Sequence, residues 1–164
     1  LRPQLELACG RLPRTLIGRF VDAARAAAPA ELAGALVYDP HAGQLQLVLH
    51  TSVCAHAGQV AYRLAPLAPQ QLVVLDLHSH GHGPAYFSAG DDRDDRGMCL
   101  AMVVGDLQRG QPSVAFRLCL NGLLLALPHP WQEARGTGAG AGAGAGDTGS
   151  STDPAKEIPP WSIY

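Results

Sequence analysis

One helical stripe followed by seven strand-like apolar runs is the feature that most limits what this chain can become. Leu12, Leu16, Ile17, Phe20, Val21 and Ala24 keep the rhythm of a single buried helix face, and Pro29 ends it after an alanine-rich last turn. "LAGALVYD" then leads through the Asp39-Pro40 turn, closed by Gly43, into "QLQLVLH", where Leu45, Leu47 and Leu49 share one face of a hairpin strand. A weaker strand spans Val60 to Leu64, and "LVVLDLHSH", "CLAMVVG", "SVAFRLCL" and "LLLAL" complete the series. Asn121-Gly122, between the last two, is the strongest hairpin signal in the chain. With a short polar helix expected after Ser88, the pattern predicts an α/β fold: a mixed, largely antiparallel sheet flanked by helices.

The folded part is expected to span residues 1–134. From Arg135 onward, "RGTGAGAGAGAGDTGSSTDPAKE" has too little apolar surface to offset its ordering entropy, so residues 135–164 read as a flexible linker and C-terminal tail. Trp161, Ile163 and Tyr164 at its end are either a docking peptide or a frayed end. Apolar residues make up 47% of the 164, enough for one real core. A formal charge of -2 provides no basic field, which makes nucleic acid a poor default partner. No apolar run has the roughly 18 to 20 residues that a membrane-spanning helix needs, and no charged-then-apolar leader opens the sequence as given. Cys9, Cys54, Cys99 and Cys119 lack C-x-x-C spacing and read as reduced, mostly core thiols, which points to a cytoplasmic protein.

The chemistry concentrates in "DLHSHGHGPAYFSAGDD", Asp76 to Asp92, which holds three of the seven histidines. His78 and His80 end a strand, where side chains at i and i+2 share a face about 6.5 to 7 Å apart, close enough for two imidazoles to converge on one ion. Gly81, Gly83 and Pro84 let the chain double back so that Asp91 can return to the same ion. Ser88 and Asp91 also read as a capping box, which needs no metal, and the histidines as strand-end residues bonded to neighbours. The readings are compatible, since Ser88 can cap while Asp91 leans toward the ion. Two imidazoles and one carboxylate would leave a tetrahedral Zn²⁺ with an open position, the pattern of a catalytic site. Hydrolysis there also needs a base. Of the four glutamates, Glu6, Glu133 and Glu157 lie at or near the ends, and only Glu31 precedes a core strand; it is either that base or a solvated junction.

H-S-H-G, seven residues to Ser88, two more before Asp91, and "ELAGAL" far upstream resemble the JAMM motif of the MPN/JAB-domain metalloproteases, over roughly residues 10 to 130. The resemblance implies a cytidine-deaminase-like α/β domain and a zinc metalloprotease or isopeptidase. It makes His78, His80 and Asp91 the zinc ligands, Glu31 the acid/base and Ser88 a donor to the developing oxyanion. It further implies a protein or peptide substrate, with the C-terminus of a ubiquitin-like protein as the characteristic target. Gly81 and Phe87 stand where members usually carry Pro after H-S-H and, in many prokaryotic members, Pro before the Ser. "DLHSHG", "AYFS" and "DDRDDRG" look closest to the bacterial branch of the PRTRC genetic system, whose protein A accompanies a ThiF-like activating enzyme and a ubiquitin-like partner. A non-catalytic MPN-type scaffold or regulatory binder is the alternative. A deaminase-like zinc enzyme is disfavoured, because its H-x-E and P-C-x-x-C pattern is missing.

Other polar residues stay open. Asp76 shares the face of the two histidines and either orients an imidazole or bonds a loop or an Arg. His82 reads as solvated or substrate-facing, His56 is unassigned, and Asp92, Asp94 and Asp95 are expected on a solvated helix face.

Overall fold

The computed structural model describes residues 5–56, 59–63 and 66–129, with side chains left undescribed between 52 and 65. The expected tail and the "IPPWSIY" end lie outside the described residues, as does the side chain of His56. Helix α1 spans Arg14–Ala27, and its Ile17, Phe20, Val21 and Ala24 are buried as the stripe predicts. At its C-terminal end Arg25 donates to the carbonyls of Arg109 at 3.1 Å and Gly110 at 2.9 Å, so a cation favoured near a helix C-terminus also ties α1 to a loop.

Eight strands are described: β1 (Ala33–Asp39), β2 (Gln44–Leu49), β3 (Thr51–His56), β4 (Gln59–Arg63), β5 (Leu72–Ser79), β6 (Met98–Gly105), β7 (Ser113–Leu120) and β8 (Leu123–Ala126). Six form one sheet in the order β2-β1-β5-β6-β7-β8, and β3 with β4 makes a separate hairpin. Every pairing is antiparallel except β5 with β6. That parallel pair needs a crossover connection, and the connection carries helix α2 (Ala89–Asp94). The expected mixed, largely antiparallel sheet is therefore present. β3 was not expected, because Thr51–His56 lacks clean alternation and pairs only with its neighbour. Asn121 and Gly122 both take positive φ, 48° and 92°, the conformation of the two-residue hairpin turn.

Period-two alternation gives the sheet two different faces. Leu36, Leu75, Leu77, Leu100, Met102, Val104 and Phe116 pack with the α1 stripe in one core. The residues between them turn the other way. Register places Asp76 between Ala35 and Ala101, with Arg117 one strand further, and His78 between Ala33 and Val103. Cys99 pairs directly with Cys119. The histidines, acids and thiols thus share the face opposite α1.

Candidate metal centre

Ser79 shows why the two histidines are held at a fixed place. It is fully buried, its hydroxyl accepts from the Leu32 amide at 2.9 Å, and its amide donates to the Leu32 carbonyl at 2.8 Å. These bonds clamp the segment before β1 to the end of β5. Glu31 is the next residue back, half-buried, immediately before the Leu32 that is clamped to Ser79.

The loop after His80 turns on Gly81, whose φ is 54° and where a Cβ would collide with the Pro29 carbonyl oxygen. Proline, with φ fixed near −65°, cannot adopt that conformation, so Pro cannot replace Gly81 in this turn. The carbonyls of Gly83 and Gly81 accept from the amides of Asp106 and Leu107 at 2.6 and 3.0 Å, seating the loop on the end of β6. His80 Nδ1 lies 3.0 Å from the Pro84 carbonyl, a contact that makes Nδ1 the protonated nitrogen and leaves Nε2 as the lone pair. Its ring packs edge-on against Tyr86 at 4.6 Å.

Ser88 then caps α2. Its hydroxyl accepts from the Asp91 amide at 3.3 Å, and its amide donates to Asp91 Oδ2 at 2.5 Å, so the capping box exists. The other carboxylate oxygen, Oδ1, faces His78 Nε2 at 3.6 Å. That nitrogen is buried and makes no hydrogen bond. Burial pushes the His78 imidazole below its ordinary pKa, against the pull of Asp91, which keeps it neutral and able to ligate. For Asp91, burial acts to raise the carboxyl, but hydrogen bonds from Ser88 and the nearby His78 and His80 outweigh it and hold the group ionised below its usual range.

His78 and Asp91 are therefore together, and His80 stands next to them with its Nδ1 engaged by the Pro84 carbonyl. Its ring centroid is 5.3 Å from that of His78, turned toward Pro84 and Tyr86. Among the described residues the one group of three ligand-type side chains whose donor atoms all lie within 4.8 Å of one another is different: Asp95, Cys99 and Cys119. The predicted trio does not close to that distance.

Arg117 organises the neighbouring ground. It is buried, its guanidinium bonds Asp92 at 2.5 Å and Asp95 at 2.6 and 3.1 Å, and it stacks 3.7 Å over the Phe87 ring, whose edge meets His78. This corrects the expected solvated face for Asp95, whose side chain is only 11% exposed; Asp92 and Asp94 are exposed as expected, with Asp92 tied to the same cation. The pairing joins positions more than 20 residues apart, so only tertiary structure reveals it. Asp76 has carboxylates, not an Arg, as its main charged neighbours; burial, then Asp95 and Asp91, push its carboxyl up to about 6. Burial and nearby Asp95 likewise raise the Cys119 thiol to about 12. His82 is exposed, as expected. An open cleft of about 570 Å³ beside this ground is lined by Phe87, Asp92, Phe116, Arg117, Leu124 and His129 among others.

Residues 13–119 match the family described as prokaryotic homologs of the JAB domain. Among solved structures, the chain is similar to the solution structure of protein DSY2949 from Desulfitobacterium hafniense, at 16% identity and a TM-score of 0.43, covering 70% of this chain and 86% of that one. No curated protein matches it. No described helix is long and apolar enough to cross a membrane. With the family match spanning well over half its length, the chain belongs to the prokaryotic JAB-domain family.

Proposed function

We propose that this protein is a zinc-dependent hydrolase of peptide or isopeptide bonds, acting at the C-terminus of a ubiquitin-like protein. The observation that carries this reading is the buried, unbonded Nε2 of His78 facing a carboxylate oxygen whose partner oxygen is already occupied by the helix cap. A buried ring nitrogen without a hydrogen bond is costly, and a divalent cation would satisfy both its lone pair in the matching tautomer and the Asp91 charge. The residues that would hold zinc are His78, Asp91 and His80, the last through the Nε2 left free by the Pro84 contact. Zinc held there supplies Lewis-acid polarisation of a carbonyl and of water.

The chain's own residues do the rest. Glu31 takes the proton of the attacking water at its carboxylate and delivers it to the leaving amine. The Ser88 hydroxyl donates to the oxyanion that develops on the scissile carbonyl. Phe87, stacked on Arg117, forms an apolar wall beside His78. The bacterial PRTRC resemblance adds a ThiF-like activating enzyme and a ubiquitin-like protein as the partners to try, in the cytoplasm.

Metal content measured by mass spectrometry tests the first step: His78→Ala/His80→Ala should hold one zinc fewer per chain than the parent. Cleavage of ubiquitin-like fusions by the zinc-loaded protein, abolished in Glu31→Gln with metal retained, tests the second. A second reading, a non-catalytic JAB-type binding module, is favoured by the ligand atoms of His78, His80 and Asp91 lying farther apart than those of Asp95, Cys99 and Cys119. It holds if no zinc is retained at the histidines after zinc is supplied.

A further inference from the structure

We propose that Asp95, Cys99 and Cys119 form a separate cation site, for a thiophilic divalent ion such as zinc, that fastens the end of α2 to the sheet. No residue is shared with the set formed by His78, His80 and Asp91.

Register builds the site. Cys99 and Cys119 are directly opposed on β6 and β7, so their side chains emerge side by side on the face away from α1. Asp95, the C-cap of α2, lies over them, with Cys119 Sγ 3.5 Å from its Oδ2. All three ligand atoms fall within 4.8 Å of one another. A tetrahedral ion with bonds of about 2.3 Å to sulfur sets its ligands about 3.8 Å apart, so small side-chain rotations close the set. Both cysteines are free thiols. Carboxylate plus thiolate donors are the choice of zinc rather than of magnesium or calcium.

Two thiolates and one carboxylate carry three negative charges; a divalent ion offsets two of them, and the Arg117 guanidinium, shared with Asp92, offsets part of the third. Of the two Asp95 oxygens Arg117 bonds only Oδ2, which leaves Oδ1 available to the ion. On loading, the two thiol protons leave to solvent. Cys99 is half-buried rather than sealed, which provides an approach. Three protein ligands leave water as the fourth. The mechanical consequence concerns α2, whose six residues include Asp91 and are too few to be helical by themselves. A cross-link from Asp95 to two strands fixes that helix from its far end.

The test is cobalt(II) titration of the reduced, metal-free full-length chain, following the near-ultraviolet thiolate-to-cobalt charge-transfer band. The expected result is a thiolate band that saturates, and does so at one equivalent in His78→Ala/His80→Ala. The band persists in His78→Ala/His80→Ala and in Cys9→Ser/Cys54→Ser. It is lost in Cys99→Ser and in Cys119→Ser, and Asp95→Asn weakens the affinity at least tenfold. Absence of the band in the unmutated protein, with its thiols shown to be reduced, overturns the proposal whatever the variants do. So does a band that survives in a folded Cys99→Ser/Cys119→Ser double variant. Loss of zinc at the histidines alone leaves this band in place, so the two sites fail separately.

Discussion

Asp91 meets His78 with one oxygen and the start of its own helix with the other: Oδ1 stands 3.6 Å from His78 Nε2, while Oδ2 accepts the Ser88 amide. A single carboxylate thus links helix capping to the candidate metal position. The two roles can be separated by chemistry, since an amide oxygen still accepts the Ser88 hydrogen bond but brings no charge to an ion.

Asp91→Asn is therefore expected to keep most of the cap and lose the metal. Zinc affinity, measured by chelator competition, should fall at least about tenfold. The metal-free variant should melt within about 1 kcal/mol of the metal-free parent, the typical worth of a cap. Asp91→Ala removes both functions, so it should lose metal and also that increment of stability. Equal zinc affinity in Asp91→Asn and the parent would remove Asp91 from the ligand set.

Arg117 is expected to matter more for stability than any surface charge. Its side chain is 6% exposed and that of Asp95 11%, so Arg117→Met strands a buried carboxylate. Breaking such a pair from one side costs about 3 to 5 kcal/mol. In urea denaturation Arg117→Met should lose that much, and Arg117→Met/Asp95→Asn should recover part of it. Independent, additive losses would mean that the ion pair is not the reason for the effect.

Gly81 carries the turn that brings Ser88 back toward the histidines. At φ 54°, with the Pro29 carbonyl oxygen in the space a Cβ would take, Gly81→Ala meets both backbone strain and a steric clash with main chain. The expected loss is at least about 1 to 3 kcal/mol, with zinc affinity lowered because the loop no longer seats on β6. Gly81→Pro should be worse, since its ring fixes φ with the opposite sign. A melting temperature unchanged in Gly81→Ala would refute the tight turn.

What could be read from the sequence was local. The α1 stripe, the Ser88 cap and the Asn121-Gly122 hairpin each follow from residues within one turn or one hairpin, and each is present. The H-x-H spacing located His78 and His80 on one strand face, but not the contacts of the His80 ring with the Pro84 carbonyl and Tyr86, because those depend on how the loop folds back. Arg117 reads in "SVAFRLCL" as one polar residue in a strand. Its partners Asp92 and Asp95 lie across the crossover, and no periodicity connects them. The same holds for Cys99 and Cys119: without C-x-x-C spacing, only the β6–β7 register makes them neighbours. Side-chain pairs built by strand register were beyond sequence reasoning, and they form most of the chemistry on this face.

The last prediction concerns pH and lies away from the metal ligands. His50, 8% exposed just beyond β2, has its imidazole pushed below the ordinary value by burial. Its folded pKa is thus lower than its unfolded one, which is near 6.5. As pH falls through that value, the unfolded chain takes up a proton that the folded chain resists, and stability drains toward the unfolded state. The contribution is intact above about pH 7 and lost on acidification toward the lowered folded pKa. His50→Asn removes this titration, so the fall in urea midpoint between pH 7.5 and pH 5.5, about a unit either side of that pKa, should be smaller than in the parent, both measured metal-free. The slope, rather than the absolute stability, decides the matter, since the substitution also alters packing at the β2–β3 junction. Parallel slopes in the two proteins would show that His50 titrates alike in the folded and unfolded states.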